Sequence, residues 1–168
     1  MKTKTLRSRV VPAAVALVVL VTTASYGQTP PNPLLGVWSV TAMTDGGTTS
    51  DPSQPGLIIF TEGHYSAVYS LGDAPRPLSA DRFVPTPEEK IAQYDTIIVN
   101  TGTYEVSGST ITSRPMIARS PEFVGGDSTM DFQIDGDVLT LTLQSVVSMD
   151  GVSAPDVSGS SMTLRRIE

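Results

Sequence analysis

Two runs in the last third of the chain alternate apolar and polar residues without a break. Met130, Phe132 and Ile134 are interleaved with Asp131, Gln133 and Asp135; after Gly136-Asp137, Leu139, Leu141 and Leu143 are interleaved with Thr140, Thr142 and Gln144. Side chains alternate across a strand, so each run puts its apolar residues on one face, and the intervening glycine-containing pair reads as a hairpin turn. A single hairpin is at best marginally stable in water, so this apolar face requires further strands to cover it.

The rest of the chain supplies them. Residues 35–43 carry Trp38, Val40 and Ala42 on one parity, with Ser39 and Thr41 on the other. Residues 56–61 and 64–70 are β-rich runs separated by Glu62-Gly63 and form a second hairpin. Residues 101–106 and 110–117 flank Ser107-Gly108-Ser109, and residues 161–167 form a last strand with Met162, Leu164 and Arg166 on one parity. Residues 45–55, 71–87 and 149–159 are loops by composition. Within the second loop, Thr86-Pro87-Glu88-Glu89 combines an N-cap threonine, a proline at the first helical position and a glutamate at the third, a capping box that predicts a short helix over 87–94. The count is about eight antiparallel strands and one short helix, an all-β chain without the helix–strand alternation of a parallel sheet. A closed barrel leaves no free strand edge and is favoured over a sandwich, which stays open as the alternative.

The chain contains one tryptophan, in Leu34-Leu35-Gly36-Val37-Trp38. A glycine two residues before an indole at the head of a strand suits a bend that lets the ring close one end of a barrel, a structural role before any ligand role.

At the N-terminus, Lys2, Lys4, Arg7 and Arg9 precede an uncharged apolar run over residues 10–24, followed by the small residues Ser25 and Gly27. That layout predicts a secretory signal peptide over residues 1–27, cleaved after Gly27 or, as the second choice, after Ala24. The run is shorter than the roughly 20 residues of a spanning helix, so no stable membrane anchor is expected after cleavage, and with no cysteine no lipid attachment. The expected location is secreted or periplasmic. Residues 28–33 hold three prolines and read as a linker that docks weakly or not at all, leaving residues 34–168 as the one domain. Removing the four leader cations takes the net charge from −6 to −10, which disfavours nucleic acid and anionic lipid surfaces as partners.

Taken together, Gly36-Val37-Trp38, the inward-parity Arg166, the run 56–60 followed by Glu62-Gly63-His64-Tyr65-Ser66, and Gly102-Thr103-Tyr104 resemble the bacterial lipocalin-like domain family, a group of calycin-type β-barrels. The resemblance spans nearly all of residues 34–168. It implies an eight-stranded lipocalin-like barrel closed by Gly36 and Trp38 with a basic residue over the indole, Arg166 in preference to Arg165.

The chain offers few parts for catalysis. It has one histidine, His64, no cysteine, no Gly-x-Ser-x-Gly elbow and no metal-ligand spacing, so no cofactor or metal is expected. Asp135-Gly136-Asp137 reads as a turn, not a calcium loop, and Glu89 is committed to the capping box. On residues 64–70 the set Tyr65, Ala67 and Tyr69 is more apolar than His64, Ser66 and Val68 and is expected to face inward, leaving His64 near solvent. With Tyr104, Met130 and Phe132 it defines a candidate site for a small hydrophobic ligand: Tyr65, Tyr69, Tyr104, Met130 and Phe132. The alternatives are a self-filled interior, a barrel enzyme such as a cyclase, isomerase or hydrolase acting on an apolar molecule, and an interaction module built on the long loops.

Overall fold

The computed structural model describes residues 32–52 and 54–168; the expected leader and most of the proline-rich segment lie outside them. Among the described residues nine strands occur in the order β1 (Gly36–Asp45), β2 (Thr48–Ser50), β3 (Leu57–Phe60), β4 (His64–Ser70), β5 (Ile97–Ser107), β6 (Thr110–Ala118), β7 (Asp127–Asp135), β8 (Val138–Val147) and β9 (Ser161–Arg166), with one α-helix, α1 (Pro87–Asp95), between β4 and β5. All neighbours pair antiparallel, and β9 pairs back onto β1, so eight strands close on themselves and β2 remains as a flap on the end of β1. The sandwich alternative is excluded by that last pairing. Closure removes both edges and lets one set of alternating side chains fill the interior.

Register follows from the apolar pattern. In the β7–β8 hairpin Phe132 faces Leu141 and Ile134 faces Leu139, and Leu139 and Leu141 in turn face Leu164 and Met162 of β9. In the β3–β4 hairpin Ile58 faces Ala67 and Phe60 faces Tyr65. The buried core is Leu34, Trp38, Val40, Ile58, Phe60, Tyr65, Ala67, Tyr104, Ile111, Leu139, Leu141 and Leu164, with Met130, Phe132 and Ile134 of β7 half-buried against it. Tyr65, Ala67 and Tyr69 do point inward, and His64 is exposed.

Three local expectations need correction. Residues 45–55 are not all loop, because Gly46 and Gly47 both take positive φ (53° and 79°), the geometry of a type I′ turn, and fold Thr48–Ser50 back onto β1. The inward parity of β1 does not run on to Ala42: a bulge between Val40 and Ala42 inserts a residue, and Met43 takes the inward place opposite Met162. Asn32 and Pro33, at the end of the segment expected to dock weakly, are engaged. The Asn32 amide donates to the Tyr104 hydroxyl at 2.6 Å, and the Pro33 carbonyl accepts from Arg166 at 2.8 Å.

The helix forms as expected and runs one residue further. The Glu89 carboxylate accepts the backbone N–H groups of Ala80 and Thr86, both at 2.8 Å, and these two bonds hold it below the usual carboxylate range. No residue of α1 is buried. It is held by polar ties instead: Arg76 of the preceding loop donates to the Gln93 carbonyl at 3.1 Å, and the Tyr94 hydroxyl donates to the Arg119 carbonyl at 3.1 Å.

Candidate functional site

The two ends of the barrel differ because the connections differ. At one end lie the tight turns β3–β4, β5–β6 and β7–β8, together with the start of β1 and the end of β9. At the other lie the four long connections: the β1–β3 segment with its flap, the β4–β5 segment with α1, the β6–β7 segment with its 3₁₀ turn Pro121–Phe123, and residues 148–160.

The tight-turn end is shut. Trp38 is fully buried, its indole N–H donates to the Leu34 carbonyl at 2.7 Å, and the Arg166 guanidinium carbon sits 4.0 Å from the ring centroid. Trp38 and Arg166 are direct register partners on β1 and β9, so the stack is a consequence of closure. The same guanidinium donates to the carbonyls of Leu35 and Pro33, pinning the chain that enters β1 across the end. Gly36 has φ 123°, and a Cβ there would collide with the Glu168 carbonyl, which explains why glycine stands two residues before the indole. Gly36, Trp38 and Arg166 thus meet at the closed end.

The long-loop end is open and leads into a cavity of about 410 Å³. That size lies within the range of small-molecule sites, and the interior is not self-filled. Its walls are apolar, with Ala67, Met130, Leu143 and Met162 among them, and Phe60 and Ile111 lie deepest in the register toward the closed end. A few polar groups interrupt them: the hydroxyls of Tyr65 and Tyr69, Asn100, Ser113, Ser128 and Arg119.

Of the five residues expected to contact a ligand, Tyr65, Tyr69 and Met130 line this cavity. Tyr104 does not. Its ring packs edge-on against Phe60 with centroids 5.2 Å apart, its hydroxyl donates to the Thr61 carbonyl at 2.7 Å, and it belongs to the closed end. Phe132 is also absent from the cavity wall; half-buried, it packs into the core one layer below Met130, opposite Leu141. Alternation identifies the inward face of a strand but not the depth along the barrel axis, and depth separates these two residues from the other three.

Sequence reasoning missed Arg119, Asn100, Ser113 and Ser128. Asn100 and Ser113 share the inward parity of Tyr104 and Ile111, a signal that was present; Arg119 follows β6 and carries none. The Tyr65 hydroxyl donates to Asn100 Oδ1. Burial pushes that phenol up to about 12, against a smaller opposing effect of the Ser113 hydroxyl. Burial also raises Tyr69, partly offset by the positive charge of Arg119. Both phenols therefore stay protonated at neutral pH and serve as hydrogen-bonding groups, not as phenolate bases. Among the described residues no three His, Asp or Glu side chains converge as a metal site would need.

The fold and site together define, among the described residues, a closed eight-stranded antiparallel barrel with one α-helix and an interior cavity. No protein-family model matches the chain, and no curated protein matches it. Among solved structures it is similar to an uncharacterized protein from Bacteroides eggerthii, at 11% identity and a TM-score of 0.46, over 79% of this chain and 98% of that one.

Proposed function

We propose that this chain is an exported lipocalin-like protein that binds a small hydrophobic ligand inside the barrel without transforming it. The observation that carries the reading is the cavity of about 410 Å³, apolar in its walls and open only where the long loops gather. The Trp38–Arg166 closure supports the lipocalin-like assignment, and the cationic, apolar, small-residue layout of residues 1–27 supports export. The phenols stay protonated, His64 is exposed, and the carboxylate at the cavity, Asp45, is exposed and accepts the Ser160 hydroxyl, an arrangement that supports binding without catalysis.

The test is titration with N-phenyl-1-naphthylamine, a neutral fluorophore that brightens in apolar surroundings. It should bind the wild type, and Ala67→Phe, which projects a ring into the cavity, should weaken binding at least ten-fold. Phe132→Ala, below the cavity, should lower the melting temperature yet change affinity less than about two-fold, the near-neutrality expected of a residue outside the contact. Equal affinity for wild type and Ala67→Phe overturns the reading. Export is tested by the mass of the native protein, expected to begin at Gln28; an intact Met1 refutes it.

A further inference from the structure

We propose that the ligand is an anionic amphiphile whose carboxylate is held at the cavity mouth by Arg119 and the Tyr69 hydroxyl while its apolar tail occupies the barrel. The inference rests on the binding reading above and narrows it to a chemical class.

Arg119 directly follows β6 at the open end and contributes to the cavity wall. Its guanidinium is fixed from one side only. Nη1 donates to the carbonyls of Tyr94 and Ile97 at 3.0 and 2.9 Å, and the guanidinium carbon lies 4.8 Å from the centroid of the Tyr94 ring. These contacts orient the group and leave its charge uncompensated. Nη2 donates to no acceptor among the described residues and, unlike Nε, is not shielded, so it is the N–H within reach of a ligand. A carboxylate oxygen answers such an N–H better than a neutral acceptor because the bond is charge-assisted.

No protein carboxylate answers Arg119. Among the described residues the one ion pair is Arg114–Asp127 at 2.9 Å, on the exposed face. The other charged residue at the cavity is Asp45, which is exposed, accepts the Ser160 hydroxyl at 2.9 Å, and stands at the end of β1, four strands around the barrel from β6. The Tyr69 hydroxyl adds a neutral donor: it lines the same cavity, has no hydrogen-bond partner among the described residues, and is close enough to Arg119 for that charge to act on its ionisation. A cation with a free N–H, a phenol, and an apolar chamber below them match a carboxylate head on a hydrocarbon tail. The planar guanidinium fork suits a carboxylate better than a hydroxyl or an ester.

The experiment is displacement of N-phenyl-1-naphthylamine by dodecanoic acid and by dodecanol, ligands of one chain length that differ in the head group. At pH 8 the wild type should bind the acid at least ten-fold more tightly than the alcohol. Arg119→Gln should abolish that preference by weakening the acid at least ten-fold. Arg114→Gln, which removes a solvent-facing cation of the same charge, should leave the preference intact. Tyr69→Phe, which keeps every backbone tie of Arg119, should lower the preference about three-fold, and this variant decides the matter if Arg119→Gln does not fold. Equal affinities of the wild type for acid and alcohol, or an acid preference undiminished in Arg119→Gln and Tyr69→Phe, overturn the inference and leave the cavity reading standing. Failure of the neutral fluorophore to bind, or of both ligands to displace it, overturns the cavity reading itself.

Discussion

Replacing Trp38 by alanine takes away the side chain on which the closed end is built. The indole is fully buried, so its loss removes an apolar area on the order of 200 Å² and opens a cavity, for which Trp→Ala costs of about 3–5 kcal/mol are typical. The Leu34 carbonyl, which accepts the indole N–H at 2.7 Å, is orphaned as well, placing the expected cost near the upper end of that range. Arg166→Ala loses the cation–π contact at 4.0 Å and two hydrogen bonds to the carbonyls of Leu35 and Pro33, together about 2 kcal/mol for a partly exposed side chain. The two losses share one contact, so the double variant should be about 1 kcal/mol less destabilised than the sum of the singles. Urea unfolding followed by far-ultraviolet circular dichroism measures all four proteins, since the variants at Trp38 lose the chain's sole tryptophan fluorophore. Native domains hold only about 5–15 kcal/mol, so Trp38→Phe supplies the milder arm of the cycle where the alanine variant is largely unfolded. Additivity within about 0.3 kcal/mol would refute the stack as a stabilising element of closure.

Gly36→Ala should cost roughly 1–3 kcal/mol by urea midpoint, from the positive φ and the collision with the Glu168 carbonyl, and a neutral outcome would mean that the C-terminus yields freely. Asn32→Ala removes the hydrogen bond to Tyr104 and the cap on the Leu34 N–H, and should lower stability by about 1 kcal/mol; no change would mean that the entering segment contributes nothing. Stability should also fall in alkali: the buried Tyr65 phenol is raised from 10.0 to about 12, so the folded state holds its proton more tightly than the unfolded. Its contribution is complete below pH 10 and lost as the pH climbs to about 12; melting temperatures should drop across that window, less so for Tyr65→Phe, and an equal drop in both would assign the effect elsewhere.

The strands, most of their inward faces and the capped helix were legible in the sequence because each is a short-range consequence of the chain. Alternation of Met130, Phe132 and Ile134 against Asp131, Gln133 and Asp135 can be satisfied only by a half-buried strand, and Thr86 with Glu89 caps a helix wherever the surroundings permit. Trp38 and Arg166 were legible as a pair because closure of the barrel brings the first strand against the last. Three things were decided only by the tertiary structure. The bulge in β1 exchanged Ala42 for Met43, since a one-residue insertion reverses every later side chain and leaves no mark in composition. The depth of Tyr104 and Phe132 depends on strand stagger, a property of the closed sheet and not of any single strand. Arg119 became a candidate ligand contact because Tyr94 of α1 and Ile97 of β5, more than twenty residues upstream, take up its Nη1 beside the cavity and leave Nη2 without a partner among the described residues.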